Sequence, residues 1–214
     1  MTCGNLINLD TAIDRWHKCN EEFKNINTIK LKRFSAIRNT NGHIGCFLSH
    51  LEILKNNFND GHVLILEDDV NITDKNNFDN KWTKIKQWLD DNEDKWDVFN
   101  GGPYTINNNK LSSRKNFGTF KILNDELKIV QVESATTSHF VYYNKNVYEK
   151  IKDVDYNIFC IDRLNDAIST LKIVTIYPYL AYQHAGNSFI SDKFVNFVSK
   201  MKKTEQQLQR RLIK

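Results

Sequence analysis

Short apolar runs alternate with amphipathic segments along the first half of the chain. Each run is bounded by polar or turn residues, which is typical of strands. The predicted strands cover 6–9, a short stretch around 34–36 within 29–37, 63–69 and 96–99. Apolar residues between these runs recur at helical spacing, and the predicted helices cover 10–23, 42–58 and 78–89. This order predicts an α/β fold with a mostly parallel sheet and helices on both of its faces.

The second half of the chain is less regular. Residues 117–132 are rich in β-forming side chains, with a turn predicted at Asn124-Asp125. Further elements are predicted as a strand over 138–143, a helix over 161–171, an extended segment over 174–182 and a C-terminal helix from residue 192. No segment has the composition of a linker and no internal repeat is visible, so we predict one domain.

Composition and charge narrow the class of protein. The chain has 214 residues, of which 40% are hydrophobic and 12% aromatic, enough for a substantial core. The net charge of +4 is too small to indicate a nucleic acid partner. No apolar stretch reaches the roughly 20 residues that cross a bilayer. The first residues lack the basic start and apolar middle of a signal peptide.

The four cysteines do not form a recognisable spacing pattern. Cys3, Cys19, Cys46 and Cys160 are far apart, and no Cys-x-x-Cys pair occurs. The sequence therefore predicts neither a zinc site nor a disulfide framework. Reduced thiols of this kind predict a cytoplasmic protein.

Three adjacent carboxylates, Glu67, Asp68 and Asp69, directly follow an apolar run. Such charges repel one another and resist desolvation, and a divalent cation would remove the penalty. Strand alternation would place Glu67 and Asp69 on one side and Asp68 on the other. Oxygen ligands favour Mg²⁺ or Mn²⁺. A solvated acidic turn is the alternative.

Five short motifs in the first half together resemble the family 25 glycosyltransferases. They are Ile7-Asn8-Leu9-Asp10 with Asp14-Arg15, Phe34-Ser35-Ala36, Gly42-His43-Ile44-Gly45-Cys46-Phe47-Leu48-Ser49-His50, Leu64-Ile65-Leu66-Glu67-Asp68-Asp69, and Trp96-Asp97-Val98 with the following glycines. The resemblance is looser in the second half. It implies a GT-A type, Rossmann-like fold over 1–214, with a nucleotide-sugar-binding half (1–102), an acceptor-side half (103–191) and a C-terminal helix (192–214).

The resemblance also implies a donor site with a bound Mn²⁺ or Mg²⁺. Asp69 is expected to ligate the metal directly, and Glu67 to contact the metal, one of its waters or the ribose. A late histidine often completes such sites, and His184 is our candidate, with an ordinary half-buried histidine as the alternative. His139 is a weaker candidate, because its apolar neighbours are typical of a core position. His50 is expected to be structural.

The remaining donor-site candidates lie at the ends of the first two strands and on the helix that begins at residue 42. Asn8 and Asp10 are expected near the base and ribose. Arg15 is expected to contact a phosphate or Asp10. The other candidates are Ala36, Gly45, Ser49 and Asp68.

An inverting transfer needs a general base on the acceptor hydroxyl. Asp162 is our candidate because it follows an apolar run and precedes a predicted helix. Its alternative role is a helix N-cap. Glu133 and then Asp155 are the next candidates for the base.

These residues predict a metal-dependent inverting glycosyltransferase. We expect it to move a hexose, with galactose as the first choice, from a UDP-sugar to a glycan, lipooligosaccharide or protein-linked acceptor. One alternative is a catalytically inactive carbohydrate-binding or scaffold module. Another is a nucleotidyltransferase, which residues 8–12 disfavour because they contain no glycine.

The C-terminal segment is basic. Lys200, Lys202, Lys203, Arg210, Arg211 and Lys214 are interspersed with a few apolar residues. A helix of this kind can lie on an anionic membrane surface. It can also be a solvated helix packed on the domain, or an oligomer contact, which we favour because the apolar residues form no continuous stripe.

Overall fold

An eight-stranded mixed sheet organises the computed structural model, which describes residues 1–107, 119–122, 127–187 and 193–212. The strands in chain order are β1 (Thr2–Asn8), β2 (Ile29–Ser35), β3 (Val63–Glu67), β4 (Val70–Ile72), β5 (Val98–Asn100), β6 (Ile106–Asn107), β7 (Thr119–Ile122), β8 (Lys128–Val132), β9 (Ser134–Ala135), β10 (Phe140–Tyr143), β11 (Ile173–Tyr177), β12 (Ala181–Gln183), β13 (Gly186–Asn187) and β14 (Phe194–Val195). The helices are α1 (Ile13–Phe23), α2 (Gly42–Asn57), α3 (Phe78–Asp91), α4 (Val147–Ile151), α5 (Leu164–Ala167) and α6 (Val198–Leu212).

The main sheet has the strand order β2-β1-β3-β10-β5-β11-β8-β7. Strand β1 runs parallel to β2 and β3, and β5 runs parallel to β11. Strand β10 is inserted antiparallel between β3 and β5, while β8 and β7 extend the sheet in antiparallel pairs. The predicted α/β class is confirmed: the strands of the first half run in one direction together with β11, and β10, β8 and β7 of the second half make the sheet mixed.

Helices cover both faces of the sheet, as predicted. Apolar side chains of α1 and α3 belong to one core cluster, and those of α2, α4 and α6 belong to another. Strand β3 shows why its sequence is a continuous apolar run rather than an alternating one. Leu64 and Leu66 belong to the first cluster, whereas Val63 and Ile65 belong to the second. The strand is therefore buried on both faces.

The start of α2 packs unusually closely on the chain that leaves β2. The side chain of Asn41 caps the helix by accepting a hydrogen bond from the backbone N–H of His43 at 3.0 Å. A Cβ atom on Gly45 would lie only 2.6 Å from the carbonyl oxygen of Ile37. The hydroxyl of Ser49 accepts from the backbone N–H of Ile37 at 2.9 Å. These contacts fix the first turns of α2 beside the ends of β1 and β3.

Several predicted elements differ in extent. The strand predicted over 63–69 ends at Glu67, and a turn follows it. The helix predicted over 161–171 is a 3-10 turn at Ile161–Arg163 followed by the single-turn α5. The turn predicted at Asn124-Asp125 lies outside the described residues.

Helix α6 packs on the domain through Met201 and Leu208, which are both buried. This packing favours the second interpretation of the basic segment. Among the described helices, none is both long and apolar enough to cross a bilayer.

The close approach at Gly45 can be tested by substitution with alanine. Alanine at an unobstructed helix position would stabilise the protein by about 1 kcal/mol. At Gly45 we expect the opposite, a loss of about 1–3 kcal/mol in the free energy of unfolding, because the added methyl group meets a backbone carbonyl. Denaturant unfolding measures the difference.

Gly186→Ala is the matched control, since no atom of the described residues lies within 4 Å of its added Cβ. We expect that variant to be nearly neutral. A Gly45→Ala protein as stable as the parent would contradict the close approach.

Candidate active site

The carboxyl ends of β1 and β3 meet at one edge of the sheet, where α/β proteins bind ligands. The register pairs Ile7 with Glu67, so Asn8 lies beside the acidic triplet. The side-chain amide of Asn8 donates to Asp68 Oδ2 at 2.7 Å. Arg15 forms an ion pair with Asp68 Oδ1 at 2.7 Å and lies 3.5 Å from Asp69 Oδ2.

The predicted alternation of the triplet was wrong. Because β3 ends at Glu67, Asp68 and Asp69 lie in a turn, where the two-residue period of a strand no longer applies. All three carboxylates line the same cavity.

Two neighbouring cavities open at this edge. The strand-end cavity, of about 400 Å³, contains the acidic triplet and the start of α2. The adjacent cavity, of about 640 Å³, contains Asp162, Thr137 and the aromatic rings of Tyr104 and Phe197. The side chains that line both are Cys46, Glu67 and Gln183. These three residues form the boundary between the cavities.

Asp69 carries a carboxylate oxygen without a partner. Its Oδ2 accepts a hydrogen bond from the amide of Gln183 at 2.7 Å. Its Oδ1 is buried and has no hydrogen-bond partner among the described residues, and neither has Gln183 Oε1. Burial, and then the charge of Glu67, raise the pKa of Asp69 to about 7. Two unpartnered acceptor oxygens fit a divalent cation with oxygen ligands.

Glu67 is instead held in its ionised form by surrounding donors. Ser138 donates to its Oε1 at 2.6 Å, and His50 Nε2 lies 3.3 Å from the same oxygen. Burial alone would raise the pKa of Glu67, but the hydrogen bond and charge of His50, with Ser138, outweigh burial and lower it. His50 is completely buried, as expected for a structural residue.

His184 lies next to Asp69 through its backbone. Its N–H donates to the carbonyl oxygen of Asp69 at 2.6 Å, while its side-chain Nε2 lies 2.7 Å from Lys18 Nζ. Burial, and then Lys18, lower the pKa of His184 and favour the neutral ring that a metal needs. Metal ligation by His184 stays a prediction, because Lys18 contacts Nε2 in this arrangement. His139 is fully buried, as predicted for a core histidine.

The other donor-site candidates occupy different positions relative to the strand-end cavity. Asn8, Arg15, Ala36, Gly45, Ser49 and Asp68 line it. Asp10 is exposed and does not line it; its carboxylate accepts from the hydroxyl of Ser35 at 2.8 Å. The hydroxyl of Ser49 is used in backbone contacts, donating to the carbonyl of Gly45 at 2.7 Å.

Asp162 lies in the adjacent cavity. Cys160, not Asp162, is the N-cap of the 3-10 turn, so the capping interpretation does not hold. Burial and then the charge of Glu67 raise the pKa of Asp162, although a hydrogen bond from the backbone N–H of Thr137 opposes the shift. Thr137 has a positive φ of 77°, which a β-branched residue rarely adopts, and such strain concentrates at functional sites.

The other two candidates for the base lie elsewhere. Glu133 is exposed between β8 and β9, and it does not line either cavity. Asp155 is exposed and accepts hydrogen bonds from Asn157.

Three contributors to the site were not predicted: Gln183, Ser138 and Cys46. Gln183 and Ser138 come from segments far from the triplet in sequence, and only the sheet order brings them to it. Cys46 belongs to the motif over residues 42–50, and the sequence predicted no role for its thiol. The helical spacing of Cys46 and His50 was the available signal, since residues four apart share a helix face.

The mixed sheet, with helices on both faces and cavities at its strand ends, is a Rossmann-like fold of the GT-A type. The chain belongs to glycosyltransferase family 25: the family model, described as glycosyltransferase family 25 (LPS biosynthesis protein), matches residues 38–158, more than half of the chain. The resemblance seen in the sequence is thereby confirmed. Among curated proteins, none matches the chain.

Two solved structures are similar in fold. A197 from STIV superposes with a TM-score of 0.51 at 14% identity, covering 91% of this chain and 93% of that one. It supports the fold alone. A Bacillus anthracis protein in complex with sucrose, described as a glucose-1-phosphate thymidylyltransferase, superposes with a TM-score of 0.43 at 8% identity, covering 94% and 75% of the two chains.

The raised pKa of Asp69 predicts how stability depends on pH without metal. Because the folded pKa of about 7 exceeds the ordinary 3.8, protonated Asp69 favours the folded state. This stabilisation is present below pH 4 and is lost as the pH rises to 7. Asp69→Asn should therefore be more stable than the parent at pH 8, by about 1–3 kcal/mol. Chemical denaturation at pH 4 and pH 8 measures the difference.

Mn²⁺ should offset that difference at pH 8. A cation that binds only the folded, ionised site at 100 times its Kd stabilises the parent by about 2.7 kcal/mol. We expect a rise in melting temperature at pH 8 for the parent and none for Asp69→Asn. An equal rise in both proteins would show that the cation binds elsewhere.

Proposed function

We propose that this protein is a metal-dependent, inverting glycosyltransferase. It transfers a hexose, with galactose as the first choice, from a UDP-sugar to a hydroxyl of a glycan, lipooligosaccharide or protein-linked acceptor. The observation that carries the proposal is the boundary formed by Glu67, Gln183 and Cys46 between two cavities. One cavity is rich in carboxylates at a strand end, and the other contains a further, half-buried carboxylate, Asp162.

The donor occupies the strand-end cavity in this proposal. Asp69 holds the divalent cation through Oδ1, with Glu67, Gln183 and His184 as the neighbouring ligands or orienting groups. When bound, the cation offsets the charge that develops on the leaving diphosphate. The bond from Gln183 to Asp69 Oδ2 keeps the unpartnered Oδ1 available.

The chain's own residues hold the carboxylates in place. Asn8 and Arg15 bind Asp68, which keeps that carboxylate from competing for the cation. Arg33 donates to the side-chain oxygen of Asn8 at 2.6 and 2.9 Å and so orients the amide toward Asp68. Asn8 and Asp68 contact the nucleoside side of the donor from these fixed positions.

The acceptor occupies the adjacent cavity. Asp162 accepts the proton of the attacking hydroxyl, and its raised pKa suits a group that must hold a proton during the transfer. Tyr104 and Phe197 offer apolar surface on which the face of a sugar ring can pack. In this proposal the acceptor hydroxyl, on the Asp162 side of the boundary, attacks the sugar from the face opposite the leaving diphosphate, and this attack inverts the configuration of the sugar.

Product analysis tests the activity directly. The protein is incubated with a panel of UDP-sugars and Mn²⁺, without acceptor, and slow release of UDP is followed. We expect one UDP-hexose to be hydrolysed above the others, and chelation to abolish the reaction. Release of pyrophosphate from a nucleoside triphosphate and a sugar phosphate would instead support a nucleotidyltransferase. No turnover and no nucleotide binding would support an inactive module.

The role of Asp162 is tested by separating donor binding from transfer. Asp162→Asn should lower transfer by about 10²–10⁴-fold, the usual contribution of a general base, while leaving the affinity for the UDP-sugar unchanged. Calorimetry gives the affinity, and a transfer assay gives the rate.

Glu133→Gln is the matched comparison, because that residue is exposed and outside both cavities. We expect its transfer rate to equal that of the parent. Loss of transfer in Glu133→Gln, with full activity in Asp162→Asn, would show that Glu133 and not Asp162 is the general base.

A further inference from the structure

A cysteine, a histidine and a glutamate meet at the boundary between the two cavities. Cys46 and His50 are four residues apart on α2, so they project from the same face of the helix. Glu67 ends the strand packed beside that face. Cys46 Sγ lies 3.4 Å from Glu67 Oε1, and His50 Nε2 lies 3.3 Å from the same oxygen. All three ligand atoms lie within 4.8 Å of one another.

Two of the three separations match the edges of a tetrahedron around zinc. With bonds of about 2.3 Å to sulfur and about 2.0 Å to nitrogen and oxygen, neighbouring ligands lie about 3.3–3.6 Å apart. The distances of 3.4 and 3.3 Å from Glu67 Oε1 to Cys46 Sγ and His50 Nε2 fall in that range. All three ligand atoms are within 4.8 Å of one another, so the side chains can close around one zinc ion.

The contacts of His50 allow its Nε2 to serve as the metal ligand, because Nδ1 has another partner. Its Nδ1 lies 3.1 Å from the hydroxyl of Tyr143, which can either donate or accept. When Tyr143 accepts from Nδ1–H, the lone pair of Nε2 points at the cysteine and the glutamate. A second partner that fixes the ring of a ligating histidine in this way is the usual arrangement in zinc sites.

The donor set separates this position from the one at Asp69. Sulfur and nitrogen ligands favour zinc over magnesium or manganese, which prefer oxygen ligands. Both Cys46 and Glu67 line the two cavities, so a fourth position remains accessible to water.

We propose that Cys46, His50 and Glu67 form a zinc-binding site, which shares Glu67 with the carboxylate site at Asp69 but has different other ligands. Binding forms bonds from zinc to the Cys46 thiolate, to His50 Nε2 and to Glu67 Oε1. The thiol proton and the Nε2 proton that faces Glu67 pass to solvent. Zinc here ties Glu67 to α2 and away from the donor. We therefore expect Zn²⁺ to inhibit the transfer. This inhibition rests on the proposed function, whereas the zinc site itself does not.

Co²⁺ tests the site, because a cobalt–thiolate bond gives a charge-transfer absorption band that oxygen and nitrogen ligands do not produce. Titrating the reduced, full-length protein with Co²⁺ should give this band at one equivalent, and Zn²⁺ should remove it by displacing the cobalt. Cys46→Ser should lack the band. Cys3→Ser, at an exposed position outside the cavities, should keep it.

His50→Gln should bind Co²⁺ at least tenfold more weakly, since it removes one of three protein ligands, and circular dichroism shows whether that variant is folded. No thiolate band in the parent protein, or an undiminished band in Cys46→Ser, would overturn the site. The titration involves no turnover, so its outcome does not depend on the proposed reaction. If the cobalt–thiolate band is normal but Zn²⁺ does not change UDP-sugar turnover, the predicted inhibition is wrong and the metal site stands.

Discussion

Three adjacent carboxylates at the end of a buried strand cannot all be charged without compensation, and the arrangement around them follows from that constraint. Asp68 is compensated by the ion pair with Arg15 and the amide of Asn8. Glu67 is compensated by Ser138 and His50. Asp69 receives only partial compensation, and its pKa rises to about 7. The carboxylate that the protein compensates only partly is the one that suits a cation.

The same constraint explains the packing beneath the site. Strand β3 is apolar on both faces, so the carboxylates that follow it emerge abruptly from the core. Helix α2 presents His50 and Cys46 to Glu67, and Gly45 permits the start of this helix to lie against the carbonyl of Ile37 on the chain that leaves β2. Strand β10 brings Ser138 to the opposite side, because it is inserted beside β3. The same elements, β3, α2 and β10, therefore form the core and position the side chains of the site.

Much of the fold and part of the site could be predicted from the sequence. Periodicity identified the strands and helices of the first half, because each is long or strongly patterned. The alternation argument failed for Asp68, since it assumed that the strand continued beyond Glu67. The resemblance in the second half was too loose to give Gln183 or Ser138 a role, because that role depends on sheet pairings between distant segments. The cluster of Cys46, His50 and Glu67 was not predicted, because only pairs of cysteines were sought as metal ligands. Its three residues come instead from one helix and one strand, which are brought together by the fold.

The central claim is that Asp69 Oδ1 holds the cation on which the donor diphosphate lies. Anomalous scattering from Mn²⁺ in crystals grown with UDP measures this most directly. The account predicts an anomalous peak about 2 Å from Asp69 Oδ1, with the diphosphate of UDP bound to the same ion. UDP bound in the strand-end cavity with no anomalous peak at Asp69 would contradict it.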